Sequence, residues 1–510
     1  MYVKYIRILF PFLFLTILSC SVTRQVPRQA NIGPDPKREF RGAWIQTAFQ
    51  NEYKEMTPAE MRKSFIEKLN FLQSCGINAI IFQVRPEADA FYKSDIEPWS
   101  RFFTGKQGVA PIEDFDPMAF LIAECHKRNM EFHAWLNPYR ASTEGTTEFA
   151  EGHIYRKRPD WFVSYNKQIL FDPGIPDNRQ YICRVVRDIV SRYDVDAIHM
   201  DDYFYPYPAA GELFPDDESF RKYGKPNGYT DTQRADWRRE NVNLLISDLK
   251  RTILLTKPWV RFGISPFGIY RNKRSTPNGS GSDTNGLQNY DDLYADVLHW
   301  VKQGWIDYNI PQIYWEIGHT AADYTTLINW WDANAGEGSH LYIGQDVART
   351  MKAEQLTRKM HYERTLPNVK GNSFWPANEI LWNNEGVSDS LQQHYHRYPA
   401  LIPAYTHLHD RAPKEVKDLK AVWTANGYIL SWNAEQSKTN PETATYFVVY
   451  RFEEKERKDI FDPAKIVATT RETRYLLPYN DGKKKYTYVV TAVDRFHNES
   501  KKGKTKKIML

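Results

Sequence analysis

Two adjacent aspartates are the first residues in this sequence whose type and setting could do chemistry. They sit in the stretch Val195 to Pro206, which reads VDAIHMDDYFYP. It begins as an apolar, strand-like run and ends in Asp201 and Asp202, flanked by histidine and aromatic residues. A buried strand that ends in charge must deliver that charge to a cleft or a polar network, because an unpaired buried carboxylate is costly. In alternating geometry His199, Asp201 and Tyr203 share one face, with Met200 and Asp202 on the other. Asp201 is therefore expected to face a cleft as nucleophile or electrostatic partner. Asp202 is expected to anchor a loop by accepting backbone or arginine hydrogen bonds.

Three other apolar runs end in similar polar clusters: INAIIFQVRPE (Ile77 to Glu87), EFHAWLNPYR (Glu131 to Arg140) and IDYNIPQIYWE (Ile306 to Glu316). In the first, Ala79, Ile81, Gln83, Arg85 and Glu87 share parity, so Gln83, Arg85 and Glu87 should reach the cleft. Glu87 is then the expected acid or base, and pairing with Arg85 or Arg140 is the plainer alternative. Gln312, Tyr314 and Glu316 share parity in the third run, which makes Glu316 the reserve acid. Asn137, Tyr139, Arg140, His199 and Tyr203 offer polar contacts, while Trp135 and Trp315 offer flat faces. Strands whose C-terminal ends all carry chemistry imply a parallel barrel with its site at that face.

The elements that must position these residues follow in order. RGAWIQT is the first strand, and Pro58 to Cys75 has helical spacing up to the stop signal Gly76. Helices over Asp116–Asn129, Arg179–Tyr193, Thr232–Thr256, Tyr290–Gln303 and Thr325–Asn334 alternate with strands, the last four strands being RFGISPFG, IDYNIPQIYWE, LYIGQDVA and GNSFWPANEI. This α/β alternation predicts a (β/α)8 TIM barrel over residues 39–405. The long connections 204–231, 93–111 and 270–289 read as groove walls, with surface decoration the alternative for the third. Residues 412–510 change texture to all-β, with GYILSWN, TYFVVYRF and KYTYVVTAVDR. Trp432 and the YTYVVTAVD run make this segment resemble a fibronectin type III domain, with Tyr488 at the tyrosine corner.

Composition narrows the function. A chain of 510 residues is too long for one core, so two domains are expected. The net charge of +5 is small for that length and gives no basic stripe for nucleic acid. Aromatic content of 15%, with 15 Trp and 32 Tyr, suits sugar rings, which present a flat apolar face edged with hydroxyls. Residues 1–20 read as a targeting segment: Lys4 and Arg7 precede the short apolar run Ile8 to Leu18, and Leu18-Ser19-Cys20 resembles a bacterial lipoprotein signal. Cys20 would carry the lipid and residues 21–38 would form a polar tether, placing the protein in the bacterial envelope, on the periplasmic face of the outer membrane. An ordinary secretory signal is the alternative. Cys75, Cys125 and Cys183 are widely spaced and read as buried thiols. His133, His153, His199 and His319 lie too far apart for a metal motif, and the His394/His396 pair is a weak signal. Without a phosphate loop or a GxSxG elbow, no cofactor is expected.

FRGAWIQT, FQVRPEADAFY, PWSRFFTGKQG, WLNPYR, FDPGIPDNR, HMDDYFYP and IPQIYW together resemble the glycosyl-hydrolase-like family 10 lipoproteins, in the family's order and across nearly the whole barrel. That resemblance implies a glycoside hydrolase. The family includes a divisome-associated enzyme that cuts peptidoglycan glycan strands stripped of their stem peptides, so peptide-free peptidoglycan is the expected substrate. Glycosidic cleavage needs an acid for the leaving oxygen and a carboxylate, or a substrate group, for the oxocarbenium-like carbon. Asp201 with Glu87 is the expected pair. A substrate-assisted N-acetylhexosaminidase using Asp201 and Asp202 is the second reading, and parity speaks against it unless the strand has already ended. A non-catalytic glycan-binding lipoprotein is the third, and the C-terminal domain offers a surface for an envelope protein partner.

Overall fold

A parallel eight-stranded barrel dominates the computed structural model, which describes residues 35–143 and 148–510. Cys20 and the segment read as its signal lie outside the described residues. The barrel strands are β1 (Phe40–Ile45), β2 (Ala79–Arg85), β3 (Glu131–Leu136), β4 (Ala197–Met200), β5 (Arg261–Ile264), β6 (Tyr308–Asn309), β7 (His340–Asp346) and β8 (Val369–Trp375). Each pairs in parallel with its neighbour in sequence, and β8 closes on β1. These eight are the runs expected from the sequence, so the (β/α)8 reading holds.

Helices α1 (Pro58–Ser74), α2 (Pro117–Lys127), α3 (Pro176–Arg192), α4 (Arg234–Thr256), α5 (Val297–Lys302), α6 (Tyr324–Ala333) and α7 (Leu356–Glu363) lie between the strands. Local chemistry sets their limits. Thr57 and Glu60 form a capping box ahead of Pro58, and the chain leaves α1 through Gly76 at φ 75°. Asp116 caps α2 by accepting from the Met118 and Ala119 amides. On α3 the stripe Tyr181, Ile182, Val185, Val186, Ile189 and Val190 is buried, the helical spacing that lays one face on the sheet. Cys75, Cys125 and Cys183 are buried free thiols.

The barrel axis is filled by rings. Phe40 stacks on Tyr342 with centroids 4.1 Å apart, and Tyr308 crosses beside them. Gly263 is glycine because a Cβ there would stand 1.9 Å from the Tyr308 ring. Alternation breaks once on β2, where the register with β3 shifts between Gln83 and Arg85.

Seven further strands follow: β9 (Lys417–Thr424), β10 (Gly427–Asn433), β11 (Tyr446–Glu453), β12 (Ile466–Thr470), β13 (Arg474–Pro478), β14 (Lys485–Val493) and β15 (Lys506–Met509). They form two antiparallel sheets, β9-β10-β13 and β12-β11-β14-β15. Trp432, Phe447, Tyr488 and Val490 are buried between them. The Tyr488 hydroxyl finds no backbone partner among the described residues, so the hydrogen bond that defines a tyrosine corner is absent. The sandwich packs on the barrel floor, the N-terminal ends of the strands. Arg495 pairs with Asp194 at 3.0 Å, and His497 Nε2 lies 2.7 Å from Glu131 Oε1. Asp35 pairs with Arg397 at 2.7 Å and Lys37 with Glu499 at 2.5 Å, so the segment read as tether is packed from residue 35 onward.

Candidate active site

The C-terminal ends of the strands surround a cleft of about 460 Å³. Asp201 and Asp202 both line it. β4 ends at Met200, so strand alternation no longer governs the next two side chains, and the expected divergence of the aspartates does not occur. Asp201 is 5% exposed and its Oδ2 accepts from Trp135 Nε1 at 3.0 Å and Asn137 Nδ2 at 2.5 Å. Its Oδ1 is buried without a hydrogen-bond partner among the described residues. Asp202 is 2% exposed; Tyr207 donates its hydroxyl to Oδ2, and Gln312 Nε2 donates to Oδ1 at 3.1 Å.

Burial, reinforced by the charge of Asp202 and opposed by Arg140, pushes the Asp201 carboxyl up to about 7. Burial also raises Asp202, while the Tyr207 and Gln312 hydrogen bonds pull it back down. Two like charges side by side do not ionise together readily, so the pair keeps a proton close to neutrality.

A polar framework holds these carboxylates. Gln83 accepts the Thr47 and Ala48 amides at 3.0 and 2.9 Å and donates to Asn137 Oδ1 at 2.9 Å, which turns the Asn137 amide toward Asp201. Arg140 donates to the same Asn137 oxygen and to the Pro86 carbonyl, with its guanidinium 5.5 Å from the Tyr203 ring. Aromatic walls stand around them. Tyr203 stacks on Tyr207 at 5.6 Å, Trp315 meets Phe267 edge-on at 5.5 Å, and Trp135 meets Trp375 at 6.0 Å. Tyr314 also lines the cleft.

Several expected residues stand elsewhere. Glu87 does not line the cleft: it is fully buried, bound by Arg101 at 2.7 and 3.0 Å and by the Thr143 amide at 2.5 Å. Arg85 is likewise buried, against Glu97 at 2.7 Å. The register shift after Gln83 is the reason, since it ends the inward parity that would have carried both residues to the mouth. Glu316 is absent from the cleft: β6 ends at Asn309, Gln312 still bridges to Phe267 and Gly344, and the chain turns past Trp315, where the Glu316 carbonyl accepts the His319 and Tyr324 amides. Tyr139 points away, buried near Asp172 and Cys183. His199 is buried beneath the cleft, hydrogen-bonded to Ser265 and Tyr308.

Of the three long connections, only 204–231 supplies wall residues, through Tyr207; Tyr205, Phe214 and Phe220 are buried around Arg238 and Trp237 instead. Residues 93–111 and 270–289 do not line the cleft. Sequence reasoning passed over Trp44, Gln46, Phe49, Ser265, Phe267 and Trp375, which do. Trp44 and Ser265 were accessible to the parity argument on their own strands. Phe49 was not, since it is 63% exposed and set by a left-handed backbone at φ 62° that no local pattern announces. Among the described residues no cluster of His, Cys, Asp and Glu could hold a metal ion, and no helix is long and apolar enough to cross a membrane.

The chain is 41% identical to glycosyl hydrolase YngK of Bacillus subtilis (strain 168) over 94% of its own length and 95% of the relative's. It is 36% identical to glycosyl hydrolase DigH of Escherichia coli O6:H1, covering 70% of this chain and 89% of that one. Among solved structures, the glycoside hydrolase domain of PgaB from Bordetella bronchiseptica superposes with a TM-score of 0.47 at 9% identity, over 70% of this chain and 98% of that one. Residues 39–361 match the family described as glycosyl hydrolase-like 10, and the chain belongs to that family.

Proposed function

We propose that the protein hydrolyses glycosidic bonds of an N-acetylated envelope glycan, with peptide-free peptidoglycan strands as the substrate, by a substrate-assisted mechanism on Asp201 and Asp202. The observation that carries this reading is the presence of both aspartates in one aromatic cleft, with Glu87 and Glu316 outside it. Asp201, pushed up to about 7, is the acid: near neutrality it holds a proton for the glycosidic oxygen. Asp202, fixed by Tyr207 and Gln312, accepts the N–H of the sugar's 2-acetamido group. The acetamido oxygen then attacks the anomeric carbon as the leaving oxygen takes the Asp201 proton. Water, deprotonated by Asp201, opens the cyclic intermediate and restores the acetamido group with net retention. Tyr203, Trp315 and Trp375 present the flat faces a sugar ring needs.

The fate of peptide-free glycan strands tests this. Wild type is expected to release fragments of retained configuration from N-acetylated strands and none from strands stripped of N-acetyl groups. Equal cleavage of both would overturn the substrate-assisted step. Binding without fragments over long incubation would replace the enzyme by a glycan-binding lipoprotein. Anchoring at Cys20 in the envelope belongs to the same proposal; Cys20→Ala should shift the protein out of the membrane fraction or leave it unprocessed, and a matured variant that sediments like wild type would refute it.

A further inference from the structure

A file of hydrogen-bonded side chains runs along the barrel axis from the sandwich to the cleft. His497 Nε2 stands 2.7 Å from Glu131 Oε1, and Glu131 Oε2 stands 2.9 Å from His133 Nε2. His133 Nδ1 lies 2.8 Å from the Tyr308 hydroxyl, which lies 3.0 Å from His199 Nδ1. His199 Nε2 meets Ser265 Oγ at 2.9 Å and Trp44 Nε1 at 3.3 Å. Trp44 and Ser265 line the cleft, and the Ser265 carbonyl accepts from Gln312, which also donates to Asp202.

One group gives the file its direction. An indole N–H can only donate, so His199 Nε2 must accept. The His199 proton is then on Nδ1 and goes to the Tyr308 oxygen. Tyr308 donates in turn to His133 Nδ1, and His133 gives its Nε2 proton to Glu131. The far end is consistent, because a carboxylate only accepts and Arg261 donates to its other oxygen; His497 Nε2 stands between that oxygen at 2.7 Å and Arg261 Nη1 at 3.2 Å. Every proton between the cleft and Glu131 points from mouth to floor.

We propose that this file is a positioning device for the cleft. It fixes His199 as the Nδ1–H tautomer, which draws the Ser265 hydroxyl proton inward and leaves the Ser265 oxygen as an acceptor for an N–H or O–H of the sugar. His199 and Glu131 are positioning residues; Ser265 is the group that meets substrate. The sugar as ligand rests on the hydrolase reading above, whereas the tautomer stands apart from it.

Glu131→Gln tests the device because it reverses it. Arg261 can only donate, so it holds the carbonyl oxygen of the new amide and the NH2 faces His133. His133 must then accept at Nε2 and donate from Nδ1, Tyr308 donates to His199 Nδ1, and His199 carries its proton on Nε2, giving up the bond from Trp44, at 3.3 Å the longest in the file. Ser265 now accepts from His199 and turns its own proton into the cleft. Nitrogen NMR of the full chain labelled with ¹⁵N-histidine, with His199 assigned by its loss in His199→Gln, should report Nδ1–H in wild type and Nε2–H in Glu131→Gln. KM for N-acetylated glycan strands should rise about tenfold, with kcat changed less, and Glu131→Gln should add nothing in a Ser265→Ala background. If wild type turns nothing over, the affinity for the same strands replaces KM. A wild-type His199 protonated on Nε2 overturns the proposal, as do additive effects of the Glu131 and Ser265 variants. Should Glu131→Gln fail to fold, the wild-type tautomer decides, with Tyr308→Phe in its place: breaking the file there should free the His199 tautomer, and an unchanged His199 spectrum with unchanged KM refutes the relay.

Discussion

Buried carboxylates gather at both ends of this barrel, and the two ends treat them in opposite ways. At the mouth, Asp201 and Asp202 take hydrogen bonds from Trp135, Asn137, Tyr207 and Gln312, all neutral donors. At the floor, Glu39 is gripped by Arg41 and Arg364, and Glu131 by Arg261. Burial pushes every one of these groups up. At the floor the guanidinium charges outweigh it, so Glu39 falls to about 2 and Glu131 lies well below the usual carboxylate range. At the mouth burial wins and Asp201 rises to about 7. A fully paired carboxylate is locked as an anion and holds structure together. One solvated only by neutral donors keeps its proton available, as an acid must.

The comparison breaks most sharply at the floor. Arg261 is 1% exposed and its guanidinium also lies 4.9 Å from the Tyr405 ring. Arg261→Ala would strand Glu131 as a buried, less compensated charge and should cost roughly 3–5 kcal/mol in urea unfolding. A loss below about 1 kcal/mol would mean that the floor pairs are not structural.

At the mouth the same kind of deletion should strike turnover instead. Asp201→Asn and Asp202→Asn should each lower turnover of peptide-free glycans by at least about a hundredfold, the low end for a general acid or base, or about 2.7 kcal/mol of transition-state stabilisation. Glu87→Gln, made outside the cleft, should leave kcat near wild type in whatever fraction folds. If Glu87→Gln is dead and folded while Asp202→Asn is active, the pairing of the two aspartates is wrong.

Protons separate the two ends by sign. The Asp201 carboxyl is raised from 3.8 to about 7, so its contribution to stability is whole below 3.8 and is lost as pH climbs through 7. Glu39 is lowered from 4.5 to about 2, so its contribution is present above 4.5 and is lost as pH falls through 2. Melting temperatures against pH should therefore show Asp201→Asn gaining on wild type from about pH 4 to pH 8. The deficit of Glu39→Gln should shrink below about pH 4.5. Parallel curves for both variants would erase the distinction.

Much of this contrast was legible in the sequence, and the failures have local causes. Parallel barrel strands are buried on both faces and read as apolar runs, so all eight were visible. Alternation along them brought Gln83, Trp135, Asp201 and Gln312 to one cleft, with Asn137 buried behind Asp201, since these lie on or just past regular strand. It failed where the strand itself failed. The shift after Gln83 turned Arg85 and Glu87 into loop-holding ion pairs, and the end of β4 at Met200 brought Asp202 in where alternation had sent it out. His199 was given the right face but the wrong depth, because parity tells the side of a strand and not the layer of the barrel. The floor network escaped notice altogether: Glu131 and Arg261 are 130 residues apart, and nothing local to either marks the other.

Aromatic rings repeat the contrast at lower energy, and here the expected effect is smallest. Phe40 stacks on Tyr342 in the closed axis, with no surface left to offer a ligand. Trp315 meets Phe267 edge-on at the cleft wall and is only half-buried, so part of it stays accessible to a ligand. Truncating Trp315 removes contact area from a bound sugar while leaving the packing beneath it mostly in place. Trp315→Ala should raise KM for glycan strands roughly two- to tenfold, the equivalent of about 0.5–1.5 kcal/mol for a ring contact. Since the ring touches neither Asp201 nor the proton it delivers, kcat should stay within about twofold. Steady-state kinetics and a urea melt on the same preparation check both halves. A fall in kcat with KM unchanged would move Trp315 from the wall to the reacting centre. A stability loss above about 2 kcal/mol would instead class it with Phe40, as core that happens to border a cleft.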